Sequence, residues 1–458
     1  MTNMAACFER RSALNGICSR RKFTVRMFLL LCLGTLLVGN SPVGVMADNW
    51  PQRRGPRGDS TTQETGLPVT WSETANVVWK AALPEWGDST PAIWGDAIFL
   101  TSESDGKLLL VRLSTKDGQI VWTKEVGAAV AVRKEAATGK RSSKFHDLQN
   151  LATPSPVTDG ERVIVHFGNG LLASYRFDGT LEWRRNLVED YGPYTIWWGH
   201  ANSPVLVDNL VISACMQDSL DGETTELAPS YVVAHDKTTG KVVWHTPRMT
   251  GSHAEEGDSY TTPQLRTAQG RRELVVMGGN VLDAYEPLSG ERIWSVPGLT
   301  GGRTVTGPTL VGDWVFTTVG MRGALQGLKP VGRGQLPGEI IAWKETQNTP
   351  DSCSPVAWNS LLWVVTDNGI GACYRQATGE KMWRDRIGGR DYKASPVAGD
   401  GKVYFLSREG LCTVIAAEAE RDVLASNTLD DEFVASPAVS NGRIYLRGKK
   451  ALYAIGAK

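Results

Sequence analysis

Cysteine is scarce in this chain. There are seven in 458 residues, with no Cys-Cys dipeptide and no Cys-x-x-Cys, which excludes a thioredoxin-like redox motif and a zinc ribbon. Cys7, Cys18 and Cys32 fall in the N-terminal segment. Cys215, Cys353, Cys373 and Cys412 lie in apolar or small-residue stretches, so buried single thiols are expected rather than a disulfide frame. The six histidines show no His-Glu-x-x-His and no ligand spacing, and no metal site is predicted from them. A charge surplus is also missing, with 49 basic and 49 acidic residues. Residues 1–47 hold six of the basic residues and only Glu9 among the acids, leaving 43 against 48 and a net charge of −5. A nucleic-acid binder needs the opposite balance to neutralise phosphates. No apolar run reaches the ~20 residues of a membrane-spanning helix.

The longest such run, "MFLLLCLGTLLVG" (27–39), follows a basic stretch and precedes "SPVGVMADNW". Val45 and Ala47 put small residues where a signal peptidase reads them, so residues 1–47 are expected to be an export signal cleaved after Ala47. Ser19, Arg20, Arg21 and Phe23 resemble the twin-arginine export motif; an ordinary Sec signal is the alternative. Cys32 follows Leu31 rather than a small residue, which argues against a lipid anchor. No transmembrane span is expected after cleavage.

Glycine (49), proline (22) and tryptophan (16) are plentiful, and they repeat in register. A glycine precedes a tryptophan by four residues at Gly118/Trp122, Gly179/Trp183, Gly240/Trp244, Gly290/Trp294 and Gly379/Trp383. A small residue followed by proline recurs at Pro91, Pro156, Pro204, Pro263, Pro308, Pro355, Pro396 and Pro437. Each proline opens a unit of four short apolar runs separated by hairpin turns. So small a sheet cannot bury both faces alone, and stacking such sheets radially buries each against its neighbours. The pattern predicts an all-β, eight-bladed β-propeller of four-stranded antiparallel blades over residues 72–458, with seven blades as the rival count. The last unit stops before any Trp-bearing strand, whereas "SETANVVWKAALP" (72–84) supplies one with Trp79. That N-terminal strand is expected to close the ring. Trp79, Trp122, Trp183, Trp244, Trp294, Trp343 and Trp383 are expected to dock each blade on the next.

"AHDKTTGKVVW", through Ala234, Asp236, Thr239, Gly240 and Trp244, resembles the tryptophan-docking repeat of pyrroloquinoline-quinone (PQQ) propellers. The resemblance covers roughly residues 72–458. It implies one of two roles: a quinoprotein alcohol or sugar dehydrogenase, or a non-enzymatic BamB-like scaffold for outer-membrane β-barrel assembly. "NWPQRRGPRGD" (49–59), within a leader at 48–71, is similar to the segment before exported PQQ-like propellers of planctomycete-type bacteria. Resemblance to the alcohol-type dehydrogenases would imply a vicinal Cys-Cys on the quinone and a calcium ion held by Glu, Asn and Asp. No segment matches that set. The reading is therefore a monomeric, exported, non-catalytic propeller without a cofactor, binding an envelope or secreted protein or peptide. A PQQ-dependent oxidoreductase is the alternative.

"YGPYTIWWGHANSP" (191–204) is the most unusual stretch. It precedes an innermost strand, so Tyr191, Tyr194, Trp197, Trp198 and His200 are expected at the channel rim, with the composition of a binding hot spot. Packing between blades is the alternative. Trp86, Asp88, Tyr260, Arg303, Asp351 and Lys393, each just ahead of its unit's proline, are expected at the same mouth, where mixed charge suits a polar ligand or peptide. Acids at 217–226 lack the spacing of a calcium loop. "KEAATGKRSS" (134–143) fails as a phosphate loop, and "GNG" at 168–170 reads as a hairpin turn. "TLDDEF" (428–433) reads as a charged connection between blades.

Overall fold

The computed structural model describes residues 49–85, 87–130, 148–196, 198–217, 230–252, 256–320 and 323–457. Residues 1–47, the 134–143 segment, acidic residues 218–226, Trp86 and Trp197 lie outside the described residues.

Eight antiparallel sheets follow one another along the chain, giving an eight-bladed propeller. We number the blades by residues 92–128, 157–186, 205–247, 264–297, 309–345, 356–386, 397–428 and 438–455. Within each blade the strands pair in sequence order, and the first strands of neighbouring blades meet around the axis. Middle strands such as Leu210–Cys215 and Ala451–Ile455 are buried at every position, as a sheet covered on both faces requires. Outermost strands expose most residues and bury the indole: in Val242–Pro247, Trp244 is the one fully buried side chain.

Blade 8 has only three strands of its own. Val77–Ala82 completes it, antiparallel to Ala451–Ile455, with Trp79 opposite Ala454. The expected closure is present. This ladder of five residue pairs removes two sheet edges at once.

Two belts of directed hydrogen bonds join the blades. The inner belt explains the small residue ahead of each proline. Its backbone N–H donates to the hydroxyl of the equivalent residue one blade on: Thr90 to Ser155, Ser155 to Ser203 and Ser203 to Thr262. It resumes with Gly307 to Ser354, Ser354 to Ser395 and Ser395 to Ser436. Gly307 offers no hydroxyl, so the chain of bonds restarts there.

The outer belt uses the tryptophans. Five indole N–H groups donate to a carbonyl in the strand 3–4 turn of the following blade: Trp79 to Thr115, Trp122 to Phe177, Trp183 to Lys237, Trp244 to Pro287 and Trp343 to Gln376. The glycine of that turn, at positive φ, lies against the indole or beside it. A Cβ on Gly118, Gly240, Gly290 or Gly379 would come within 2.7 Å of the ring, and one on Gly179 within 3.3 Å. Trp294 and Trp383 have buried N–H groups without an acceptor. Trp294 instead packs under the Arg266 guanidinium, 5.4 Å from its carbon. Its strand also gains a fifth, parallel neighbour, Gly334–Gln335, from blade 5's long loop.

Residues 49–71 carry no repeat signal, yet they are built into the ring. Trp50 exchanges backbone bonds with Ile93 of blade 1, and Pro51 accepts from Thr158 of blade 2. Arg54, 1% exposed, donates to Pro308 O, Thr309 Oγ1 and Pro355 O of blades 5 and 6. Thr62 bonds Ala398 and Trp71 bonds Asn427, both in blade 7, while Glu64 accepts from Asn441 and Gly442 of blade 8. Most of these partners sit in or beside strand 1–2 turns, so the segment straps the face opposite the loops that enter each blade. Among the described residues no helix is long and apolar enough to cross a membrane.

Candidate functional site

All eight blades contribute to one cavity of about 210 Å³ at the axis. Asp88, Thr153, Trp198 and Tyr260 come from the segments entering blades 1 to 4, and Arg303, Asp351, Lys393 and Ser436 from those entering blades 5 to 8. Arg53 of the strap joins the lining. Local topology places these residues: every blade begins at the axis, so residues one to six positions before its proline line the channel mouth.

The expected mouth residues Asp88, Trp198, Tyr260, Arg303, Asp351 and Lys393 are thus brought together. Arg303 and Asp351 form an ion pair at 2.9 Å. Lys393 contacts Asp367 at 2.6 Å and Asp391 at 3.2 Å; burial alone would lower its pKa, but the two carboxylates outweigh that and raise it. The Tyr260 hydroxyl donates to Asp258 at 3.2 Å and accepts from the Trp198 backbone N–H at 3.2 Å. Burial pushes Asp88 up to about 7, against the opposing pull of Arg447 and Lys449. Its Oδ2 is covered and without a hydrogen bond.

Three residues of the aromatic stretch leave the rim. Leu187–Tyr191 forms a short helical turn, in which Tyr191 stacks on His245 of blade 3 at 4.5 Å and 12°. Tyr194 and His200 are buried, 3% and 1% exposed, and both contact His166. The cause is local: after the helical turn the segment lies between blades 2 and 3, and its side chains alternate between that interface and the channel. Of the described aromatic residues of this stretch only Trp198 lines the cavity, with Ala201 beside it. Arg53 was missed because its segment has no repeat to assign it a depth in the ring.

Cys215, Cys353, Cys373 and Cys412 are free and buried, as expected. Among the described residues the cavity lining offers two carboxylates, Asp88 and Asp351, and no cysteine. This does not fit a quinone held on a vicinal cysteine pair with calcium bound by Glu, Asn and Asp.

Comparison with known proteins reaches the same fold from outside. The sequence matches the family described as outer membrane protein assembly factor BamB over residues 60–217, 128–385 and 366–458. No curated protein matches it significantly. Among solved structures, BamB from Moraxella catarrhalis is similar at 13% identity and a TM-score of 0.58, covering 83% of this chain and 99% of that one. A europium-containing methanol dehydrogenase is similar at 11% identity and a TM-score of 0.64, covering 87% and 89%. The quinohemoprotein alcohol dehydrogenase from Comamonas testosteroni is similar at 11% identity and 0.61, covering 90% and 81%. At such identities the likeness is one of fold, and it spans an assembly factor and dehydrogenases alike.

Proposed function

The chain belongs to the family of the outer membrane protein assembly factor BamB, and on that premise we propose that it is an exported, non-catalytic binding module of the cell envelope. Its site is the channel mouth, and its ligand is a segment of an envelope or secreted protein. The observation that carries this reading is the convergence of an indole, a phenol and paired charges from eight separate loops on one cavity. Trp198 and Tyr260 supply flat apolar contact, while Arg303, Asp351 and Lys393 can exchange their internal partners for a peptide's charges and amides. From the strap, Arg53 adds a further cation to the same cavity. Export follows from the candidate signal at 1–47.

The competing role, a PQQ-dependent oxidoreductase, predicts turnover. Protein incubated with PQQ and Ca²⁺ is assayed for dye reduction with alcohols and sugars. No turnover is expected, and sustained turnover would overturn the proposal. A Trp198→Ala, Arg303→Ala double variant should lose capture of the envelope partner while keeping the wild-type unfolding transition.

A further inference from the structure

A second polar cluster lies between blades 2 and 3, inside an apolar core that includes Val157, Ile164, Leu172 and Val211. His166 ends one strand of blade 2 (Arg162–His166), and Cys215 ends the matching strand of blade 3 (Leu210–Cys215). His200 reaches in from the connecting segment. All three are 0–1% exposed, and one ligand atom from each lies within 4.8 Å of the other two. His200 Nε2 and His166 Nδ1 stand 3.3 Å apart. Two nitrogen ligands of a tetrahedral ion, each ~2.0 Å from it, are themselves ~3.3 Å apart.

We propose that His166, His200 and Cys215 form a buried site for one thiophilic d-block cation, Zn²⁺ or Cu⁺, which pins blade 2 to blade 3. Two imidazoles and a thiol are the donor set such ions select over Mg²⁺ or Ca²⁺. The Tyr194 hydroxyl, 3.5 Å from Cys215 Sγ, also lies 3.1 Å from His166 Nε2, which occupies that nitrogen and leaves Nδ1 for the ion. The two imidazoles face each other through one ring nitrogen apiece inside this buried pocket. A backbone hydrogen bond with Asn202 orients His200, the outer support typical of a metal-bound histidine. Without an ion Cys215 is a free, buried S–H group. On binding, that proton leaves to solvent as the sulfur becomes a thiolate ligand, and the sulfur moves in by about an ångström to reach bonding distance. Side chains this deeply covered take up the ion as the two blades pack.

The full chain is expressed in medium supplemented with zinc, copper or, as a spectroscopic probe, cobalt. It is then purified in buffer containing a chelator, and metal per chain is measured. The expected result is about one zinc or copper ion per wild-type chain, together with a thiolate-to-cobalt charge-transfer band in the cobalt preparation. Cys215→Ser and His200→Gln, verified as folded by circular dichroism, should lose the ion and the band, and their melting temperature should no longer respond to the metal supplied. Folded wild-type protein that carries none of the three metals overturns the site, as does a Cys215→Ser variant that retains the full complement. Neither outcome bears on peptide capture at the channel mouth, so the two proposals fail separately.

Discussion

Gly240 and Trp244 sit four residues apart on one hairpin, but they serve different joints. Gly240 lies under Trp183 of the preceding blade, while Trp244 reaches the turn of the following one. Glycine is therefore required there twice over, for its positive φ and for the indole pressed against it. Gly401 separates the two demands: it has the same φ of +68°, but a Cβ there meets nothing within 4 Å. Alanine at either position carries left-handed strain of about 1–2 kcal/mol. Gly240→Ala adds the collision with Trp183, a further ~1–3 kcal/mol by the usual cost of overpacking. Chemical denaturation of the two variants should rank Gly240→Ala as clearly the less stable; equal losses would show that the indole contact contributes little. This double constraint is why the joints were legible in the sequence. The same residue types recur at most of them, where Gly118, Gly179, Gly240, Gly290 and Gly379 each lie against or beside an indole. Asp88 carries a second prediction at this scale. Its pKa is about 7 in the fold against 3.8 for an ordinary aspartate. Between those values the native chain keeps a proton that the unfolded chain has lost, so stability falls as pH rises through that window and levels off above about 7. Asp88→Asn removes that loss. Its melting temperature relative to wild type should climb from about pH 4 to about pH 7, and a difference independent of pH would contradict the assignment.

At the scale of elements, the strand Val77–Ala82 and the strap before it do different work. The strand supplies the fourth member of blade 8 and the Trp79 joint to blade 1. The strap buries Trp50 and Trp71 and sends Arg54 between blades 5 and 6. Removing residues 49–71 should lower the melting temperature yet leave one cooperative transition, because every blade keeps its strands. Removal of residues 49–83 exposes the edge of Ala451–Ile455 and breaks the ring, so no cooperative transition and ready aggregation are expected by calorimetry and light scattering. A cooperative transition in the second truncation would show that closure does not depend on this strand. The closing strand was readable because it carries the repeat's own tryptophan. The strap was not, since its backbone and side chains together satisfy partners in six blades and no local period records them.

At the scale of the molecule, two belts and a strap produce a rigid ring whose variable parts meet only at the mouth. Six expected mouth residues converge there because every unit enters at the axis, which the proline register revealed. Tyr191, Tyr194 and His200 do not, because a few residues of helical turn redirect the chain, and so short a turn leaves no periodic trace in the sequence. The inter-blade cluster of His166, His200 and Cys215 was equally invisible, its members lying on separate elements with no ligand spacing between them. What the ring offers a partner is therefore the surface around Trp198, Tyr260, Arg303 and Lys393. Site-specific photo-crosslinking in intact cells tests that most directly, with the reactive residue placed at Val305 inside the mouth or at exposed Leu288 on the outer rim. The account predicts a discrete protein adduct from position 305, abolished by Trp198→Ala, and none from position 288. Adducts from the rim with none from the mouth would contradict it.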